Sequence, residues 1–133
     1  MDFSTVLCVD DRPKVLDLRK ATLESHGYRV VIASSGYTAM KILGERSAVA
    51  VLLEYKQEGM DAEALVCLIK QRFPNLPIIL LSAYSEMPER ILSLVDEYVM
   101  KSELPERLTP VIERACRRAP RSEEGRQRSG AAA

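Results

Sequence analysis

Five short apolar runs, rich in β-branched residues, alternate along the chain with longer segments that show helical periodicity. The runs are TVLCV at 5–9, YRVVIA at 28–33, AVAVLL at 48–53, PIILLS at 77–82 and EYVMK at 97–101. AVAVLL is apolar throughout, and TVLCV and PIILLS are apolar apart from one terminal Thr or Ser, which is typical of strands that are covered on both faces in a parallel sheet. Because parallel strands need right-handed crossovers, the alternation predicts one sheet with helices on both sides.

Helix start and stop signals place a helix after each predicted strand. The helices begin near positions 13, 35 or 36, 61, 88 and 105, and the third and fifth end near 73 and 118. The fourth helix has room for few residues before the fifth strand. The expected fold is therefore α/β, a flavodoxin-like doubly wound five-stranded parallel sheet in the order 2-1-3-4-5, with five helices of which the fourth is short.

Length and charge limit the chain to one domain with no strong global field. The 133 residues suffice for a single core, and 19 basic residues balance 19 acidic ones, which argues against direct attraction to nucleic acid or an anionic membrane. Residues 1–118 are predicted to form the domain. Residues 119–133 contain no apolar anchor and are predicted to form a disordered tail.

The termini, apolar runs and cysteines indicate a reduced, water-soluble setting. The chain shows no basic leader and no apolar run near the ~18 residues that a membrane span needs, so a cytoplasmic location is expected. The three cysteines are widely spaced among apolar neighbours. This pattern favours buried reduced thiols over a disulfide framework or a zinc site.

Polar residues follow or end four of the five predicted strands. Asp10 and Asp11 follow the first strand, Glu54 ends the third, Ser82 ends the fourth and Lys101 ends the fifth. Since ligands of an open parallel sheet bind beyond the carboxyl ends of its strands, we expect these side chains to meet at one edge. Carboxylate oxygens suit a hard cation such as Mg²⁺. The plainer alternatives, a helix cap beside a solvated acid and a serine that merely ends a strand, stay open.

Four segments together resemble the receiver domain of response regulators in two-component signalling. They are VLCVDDRPKVLDLRKATLESHGYRV, VAVLLEYKQEGMD, PIILLSAYSE and EYVMKS. The resemblance covers about residues 4–116 and depends on the combination of paired acids, small hydroxyl residue and lysine at family-like spacing. It implies a bacterial, cytoplasmic signalling module of a phosphorelay, not an enzyme with a separate substrate.

The resemblance also implies a role for each matching position. These roles are magnesium binding for Asp10, Asp11 and the backbone carbonyl of Lys56; phosphoryl contact or switching for Ser82, Tyr98 and Lys101; and the phosphoacceptor position, normally aspartate, for Glu54. The residues leave open whether magnesium is bound. The implied partners are proteins, namely a histidine kinase or a downstream effector, with homodimerisation as a further option.

Glu54 is the departure with the largest chemical consequence. Glutamate is one methylene longer than aspartate, which moves the carboxylate by ~1.5 Å, and a misplacement on that scale can slow a reaction about a hundredfold. The longer side chain can also imitate a modified aspartate, although it carries about −1 where a phosphoryl group carries about −1.5 to −2. We therefore expect an atypical receiver that signals by protein contacts without aspartyl phosphorylation.

Other departures concern the loops and the output face. Gln57 and Glu58 stand where the family usually has Met-Pro, and Ser102 stands where a proline usually follows the lysine. Only 18 residues separate Ser82 from Lys101, which shortens the fourth helix. The alternatives are a Mg²⁺-dependent phosphorylatable receiver, a purely structural interaction module, or a small phosphatase or nucleotide-binding protein; the last lacks any glycine-rich phosphate loop.

Overall fold

The computed structural model describes residues 5–57, 59–84, 86–101 and 107–118. Several expectations lie outside these ranges. They are the tail at 119–133, the departures at Glu58 and Ser102, and the start of the fifth helix near 105. The domain boundary at 118 therefore stays a prediction.

Strands and helices alternate without exception in the described part of the chain. The strands are β1 (Thr5–Val9), β2 (Arg29–Ala33), β3 (Ala50–Glu54), β4 (Ile78–Ser82) and β5 (Glu97–Met100), and the helices are α1 (Pro13–Glu24), α2 (Gly36–Glu45), α3 (Ala62–Arg72), α4 (Glu89–Leu92) and α5 (Leu108–Arg118). Each predicted strand is present within two residues of its expected bounds. The prediction of a short fourth helix is confirmed, since α4 has 4 residues.

The five strands form one parallel sheet in the order β2-β1-β3-β4-β5, as predicted. The chain passes from β1 to β2 on one side and then returns to place β3 on the other side of β1. Strand order therefore reverses between β1 and β3. Their carboxyl ends flank the crevice where sheets of this kind bind ligands.

Alternate residues of each central strand pack into two cores, one on either face of the sheet. Val6 and Cys8 of β1 contact buried residues of α1 and α5, whereas Leu7 and Val9 lie with those of α2, α3 and α4. β3 and β4 are buried along their whole length, which accounts for their apolar sequences up to the polar last residue of each. Packing on both faces of the sheet thus fixes the positions of the residues at the ends of its strands.

Polar caps and one glycine define where the helices begin and end. The Ser35 side chain accepts a hydrogen bond from the backbone N of Thr38 (3.1 Å), and Asp61 accepts one from the backbone N of Ala64 (3.1 Å). Gly27 follows α1 with φ of 93°, a left-handed conformation that favours glycine. No helix in the described ranges is long and apolar enough to cross a membrane.

The cysteine expectation is only partly correct. Cys8 is buried in β1 and Cys116 is half-buried in α5, but Cys67 is exposed on α3. Its neighbour Val66 faces the core, and the next position along a helix points about 100° away. Apolar neighbours in the sequence were therefore a poor guide to burial on this helix.

Candidate functional site

The predicted residues at the strand ends differ in burial. Asp10, Glu54 and Ser82 are buried, with exposed fractions of 0%, 2% and 0%. Asp11 and Lys101 are half-buried at the rim of the same edge. A buried carboxylate needs compensating charge or hydrogen bonds, so the partners of Asp10 and Glu54 determine which chemistry is available at this edge.

Both carboxylate oxygens of Glu54 are engaged. Oε1 lies 2.6 Å from Nζ of Lys101 and accepts a hydrogen bond from Nη2 of Arg12 (3.3 Å). Oε2 accepts a hydrogen bond from the backbone N of Lys56 (3.3 Å). The backbone carbonyl of Glu54 accepts a further bond from Nε2 of Gln57 (2.5 Å). The prediction that Glu54 and Lys101 meet at this edge is thus matched by a direct ion pair.

Asp10 accepts hydrogen bonds from both the side chain and the backbone of Arg12. Its Oδ1 accepts hydrogen bonds from the backbone N (3.0 Å) and Nε (3.2 Å) of Arg12, and its Oδ2 accepts one from Nη2 (3.2 Å). Nη1 of Arg19 lies 4.0 Å from the same Oδ2. The hydrogen bonds to Asp10, and then the nearby negative charges, raise the pKa of Arg12 above its ordinary value.

Sequence reasoning did not identify Arg12 or Arg19 as part of the site. Arg12 directly follows the two acids, which is a local signal that could have been used. Arg19 lies on α1, and its side chain is only 10% exposed, but no short motif connects it to Asp10. Its role becomes visible only when α1 has packed on the sheet.

The remaining predicted residues line the mouth of the edge. Oδ2 of Asp11 accepts a hydrogen bond from the backbone N of Gly59 (3.4 Å), and Oγ of Ser82 accepts one from the backbone N of Tyr84 (3.0 Å). Nζ of Lys56 lies 6.0 Å from the ring centroid of Tyr84, within range of a cation–π contact. These contacts link the loops after β1, β3 and β4.

Tyr98 lies on β5, half-buried, and packs against the core cluster of α2, α3 and α4. This is the position of a strand aromatic with one side on the core. Whether it also acts as a switch stays a prediction.

The contacts of Asp10 and Glu54 bear on the expected magnesium site. Within the described ranges, no group of three His, Cys, Asp or Glu side chains could hold a metal ion. The oxygens of Asp10 are occupied by Arg12, and Nη2 of that arginine lies between Asp10 and Glu54. The expected ligand set was two carboxylates and a backbone carbonyl, which is not a group of this kind, so the roles of Asp10, Asp11 and the Lys56 carbonyl as metal ligands stay predictions.

Fold and edge together define a doubly wound α/β domain with an ion-paired carboxylate at the point where the strand order reverses. The family model of the response regulator receiver domain matches residues 6–113, and the chain belongs to that family. It is thus a receiver domain of two-component signalling, a signalling module whose family interacts with histidine kinases and effectors. The resemblance found in the sequence is confirmed.

Relatives and solved structures agree with this assignment. A putative NtrX-like response regulator of Rickettsia felis is 29% identical over 116 residues, which is 84% of this chain and 24% of that protein. The receiver domain of NtrX from Brucella abortus is 26% identical, with a TM-score of 0.79 over 85% of this chain and 98% of that one. The response regulator TrrA of Thermotoga maritima, solved with Mg²⁺ and BeF, is 28% identical, with a TM-score of 0.78 over 85% and 99%.

The chain spans about a quarter of the length of the curated relatives it matches, 24% for the Rickettsia felis protein and 25% for its Rickettsia bellii counterpart.

Proposed function

We propose that this receiver domain signals through protein contacts without forming an acyl phosphate at Glu54. The observation that carries the proposal is the 2.6 Å ion pair between Glu54 Oε1 and Lys101 Nζ. In the family, that lysine pairs with the phosphoryl group of the modified aspartate. Here the longer glutamate reaches the lysine by itself, so one contact of the phosphorylated state is made by the chain alone.

The environment of Glu54 makes this ion pair a strong constraint on the edge. Glu54 is 2% exposed and Lys101 is 24% exposed, so water screens the pair poorly. The carboxylate supplies about −1 where a phosphoryl group supplies about −1.5 to −2, so the imitation is partial. Because the ion pair between Glu54 and Lys101 is a permanent part of the chain, it favours one conformation of the edge over exchange between two.

The same contacts make Glu54 a poor nucleophile. Attack on a phosphohistidine requires a carboxylate oxygen that is free and in line with the incoming phosphorus. Oε1 is held by two cations and Oε2 by the backbone N of Lys56. The extra methylene displaces both oxygens by ~1.5 Å from where an aspartate would present them, a shift that can cost about a hundredfold in rate.

The partner would be a histidine kinase that no longer transfers phosphate, or a downstream effector that reads the fixed state in the cytoplasm. The usual output face includes the fourth helix, which here has 4 residues and is joined to α3 by the Arg90 to Glu63 ion pair (2.6 Å). A partner or second copy that docks on this face would therefore meet a shape different from that of a receiver with a full-length helix.

Exposure to acetyl phosphate and Mg²⁺, followed by intact-mass measurement, tests the proposal. We expect no phosphoryl adduct on the wild type or on Glu54→Gln, and an adduct on Glu54→Asp. An adduct on the wild type that disappears in Glu54→Gln would contradict it. If Glu54→Asp stays unmodified, the double variant Glu54→Asp/Arg12→Ala shows whether the arginine alone blocks the reaction.

Asp61, the other acid that could accept a phosphoryl group in the phosphorylatable alternative, is poorly placed for that role. Its side chain caps α3 by accepting the hydrogen bond from Ala64, and it lies on the exposed surface rather than in the edge. An adduct that survives in Glu54→Gln and is lost in Asp61→Asn would favour the phosphorylatable alternative at this second position.

A further inference from the structure

We infer that the guanidinium of Arg12 is a built-in counter-cation that takes the place of a divalent metal ion at the sheet edge and keeps Mg²⁺ out. The inference deepens the proposed function and rests on it, since both describe an edge whose charge is balanced from within the chain. It makes a separate claim, about metal binding rather than phosphoryl transfer.

The first support is that one nitrogen of Arg12 bridges acids from two strands. Nη2 lies 3.2 Å from Oδ2 of Asp10, which follows β1, and 3.3 Å from Oε1 of Glu54, the last residue of β3. Bridging carboxylates across the switch point of a sheet is the position that a bound cation would occupy. A metal ion there would have to displace this nitrogen from both oxygens.

The second support is that the local backbone prepares the arginine for this position. Arg12 is the residue before α1 and has extended dihedrals (φ −113°, ψ 109°), as is favoured immediately before Pro13. Its backbone N and its Nε both donate to Oδ1 of Asp10, so main chain and side chain are fixed on the same carboxylate. A planar guanidinium fixed in this way loses little further freedom on contacting Glu54.

The third support is the charge balance of the described edge. Three acids face three bases there, and these are Asp10, Asp11, Glu54, Arg12, Arg19 and Lys101. The formal charges of these six residues cancel, and the exposed Lys56 at the mouth of the edge adds a fourth base. A divalent ion would add two uncompensated positive charges among partly buried bases, or it would have to expel Arg12 and its hydrogen bonds. The net loss in this exchange is about the worth of one charge-assisted bond, because the exposed guanidinium regains hydrogen bonds to water, and it would weaken metal binding by about ten- to a hundredfold.

A metal ion has a steric route to displace Arg12, so a metal titration can test the inference. The Arg12 side chain is 49% exposed and could turn toward solvent. The experiment is a titration of the full chain with Mn²⁺ alone, read by paramagnetic broadening of the amide resonances of residues 10–12 and 54–57, with Mg²⁺ alone as the diamagnetic reference. No phosphodonor is present, so the result does not depend on phosphoryl transfer.

Wild type is compared with Arg12→Ala and with Lys14→Ala, which removes an exposed positive charge two residues away. We expect Arg12→Ala to bind Mn²⁺ about ten- to a hundredfold more tightly than the wild type, with Lys14→Ala unchanged. Equal affinity in the wild type and Arg12→Ala would overturn the inference. An equal gain in Lys14→Ala would also overturn it, because general charge would then explain the effect.

Arg12→Gln serves if Arg12→Ala does not fold, as judged by circular dichroism. Glutamine can still donate a hydrogen bond to Asp10, which favours folding of this variant. Because it lacks the positive charge, Arg12→Gln should also bind Mn²⁺ more tightly than the wild type. The two proposals fail separately. A wild type that binds Mn²⁺ tightly and yet acquires no phosphoryl group refutes only the counter-cation, whereas a wild type phosphorylated at Glu54 refutes the proposed function.

Discussion

Replacing Lys101 with methionine removes the cation closest to the buried carboxylate of Glu54. Nζ and Oε1 are 2.6 Å apart, and the two side chains are 24% and 2% exposed. At an effective dielectric constant of about 20 this distance corresponds to about 6 kcal/mol of attraction before desolvation is subtracted, and breaking a buried pair commonly costs about 3–5 kcal/mol. Because Arg12 stays on the same oxygen and Lys101 is partly solvated, we expect the free energy of unfolding to fall by about 2–3 kcal/mol.

Urea denaturation followed by circular dichroism measures this loss, since the chain has no tryptophan to report unfolding by fluorescence. Glu54→Gln and the double variant complete a cycle, in which we expect a coupling energy of about 1–2 kcal/mol. Lys41→Met is the matched control, because Lys41 pairs with Glu45 at 3.0 Å but both side chains are more than half exposed. That change should cost less than about 0.5 kcal/mol. If Lys101→Met costs no more than Lys41→Met, the buried ion pair does not hold the edge as we reason.

Three further predictions concern the thiols and the caps of α3 and α2. Iodoacetamide at pH 8 should label exposed Cys67 within minutes and leave Cys8 unlabelled until the protein unfolds, because burial raises the pKa of Cys8 to about 12; mass spectrometry of the labelled protein would contradict this if both react together. Asp61→Ala should lower the free energy of unfolding by about 1 kcal/mol through loss of the bond from Ala64, as should Ser35→Ala at α2, and urea midpoints that match the wild type would refute the capping role.

The fold was predictable because its signals are local. Apolar runs such as IILLS in β4 are too short for a helix and are buried on both sides, and Ser35 and Asp61 each mark a helix start by hydrogen-bonding capacity. The meeting of Glu54 and Lys101 also followed from the sequence, since the carboxyl ends of all strands in a parallel sheet share one edge, even though β4 lies between β3 and β5.

The features that the sequence did not predict depend on the reach of long side chains and on the rotation of a helix about its axis. The partner of an arginine is set by tertiary distances, so neither the bridge from Arg12 to Glu54 nor the approach of Arg19 to Asp10 is visible in the one-dimensional pattern. The exposure of Cys67 depends on the rotation of α3 relative to the sheet. The contacts of Arg12 and Arg19 matter for the site, because they set the charge that surrounds Asp10 and Glu54.

The ion pair at the end of β3 has a consequence in time. The hydrolysis of an acyl phosphate limits the duration of a signal. The ion pair between Glu54 and Lys101, which follows β5, is part of the folded chain and has no such lifetime. Under the proposed function, a receiver of this kind carries no memory of a recent stimulus. Its output would instead follow abundance, so that synthesis and degradation of the chain become the controls that a kinase and a phosphatase provide elsewhere.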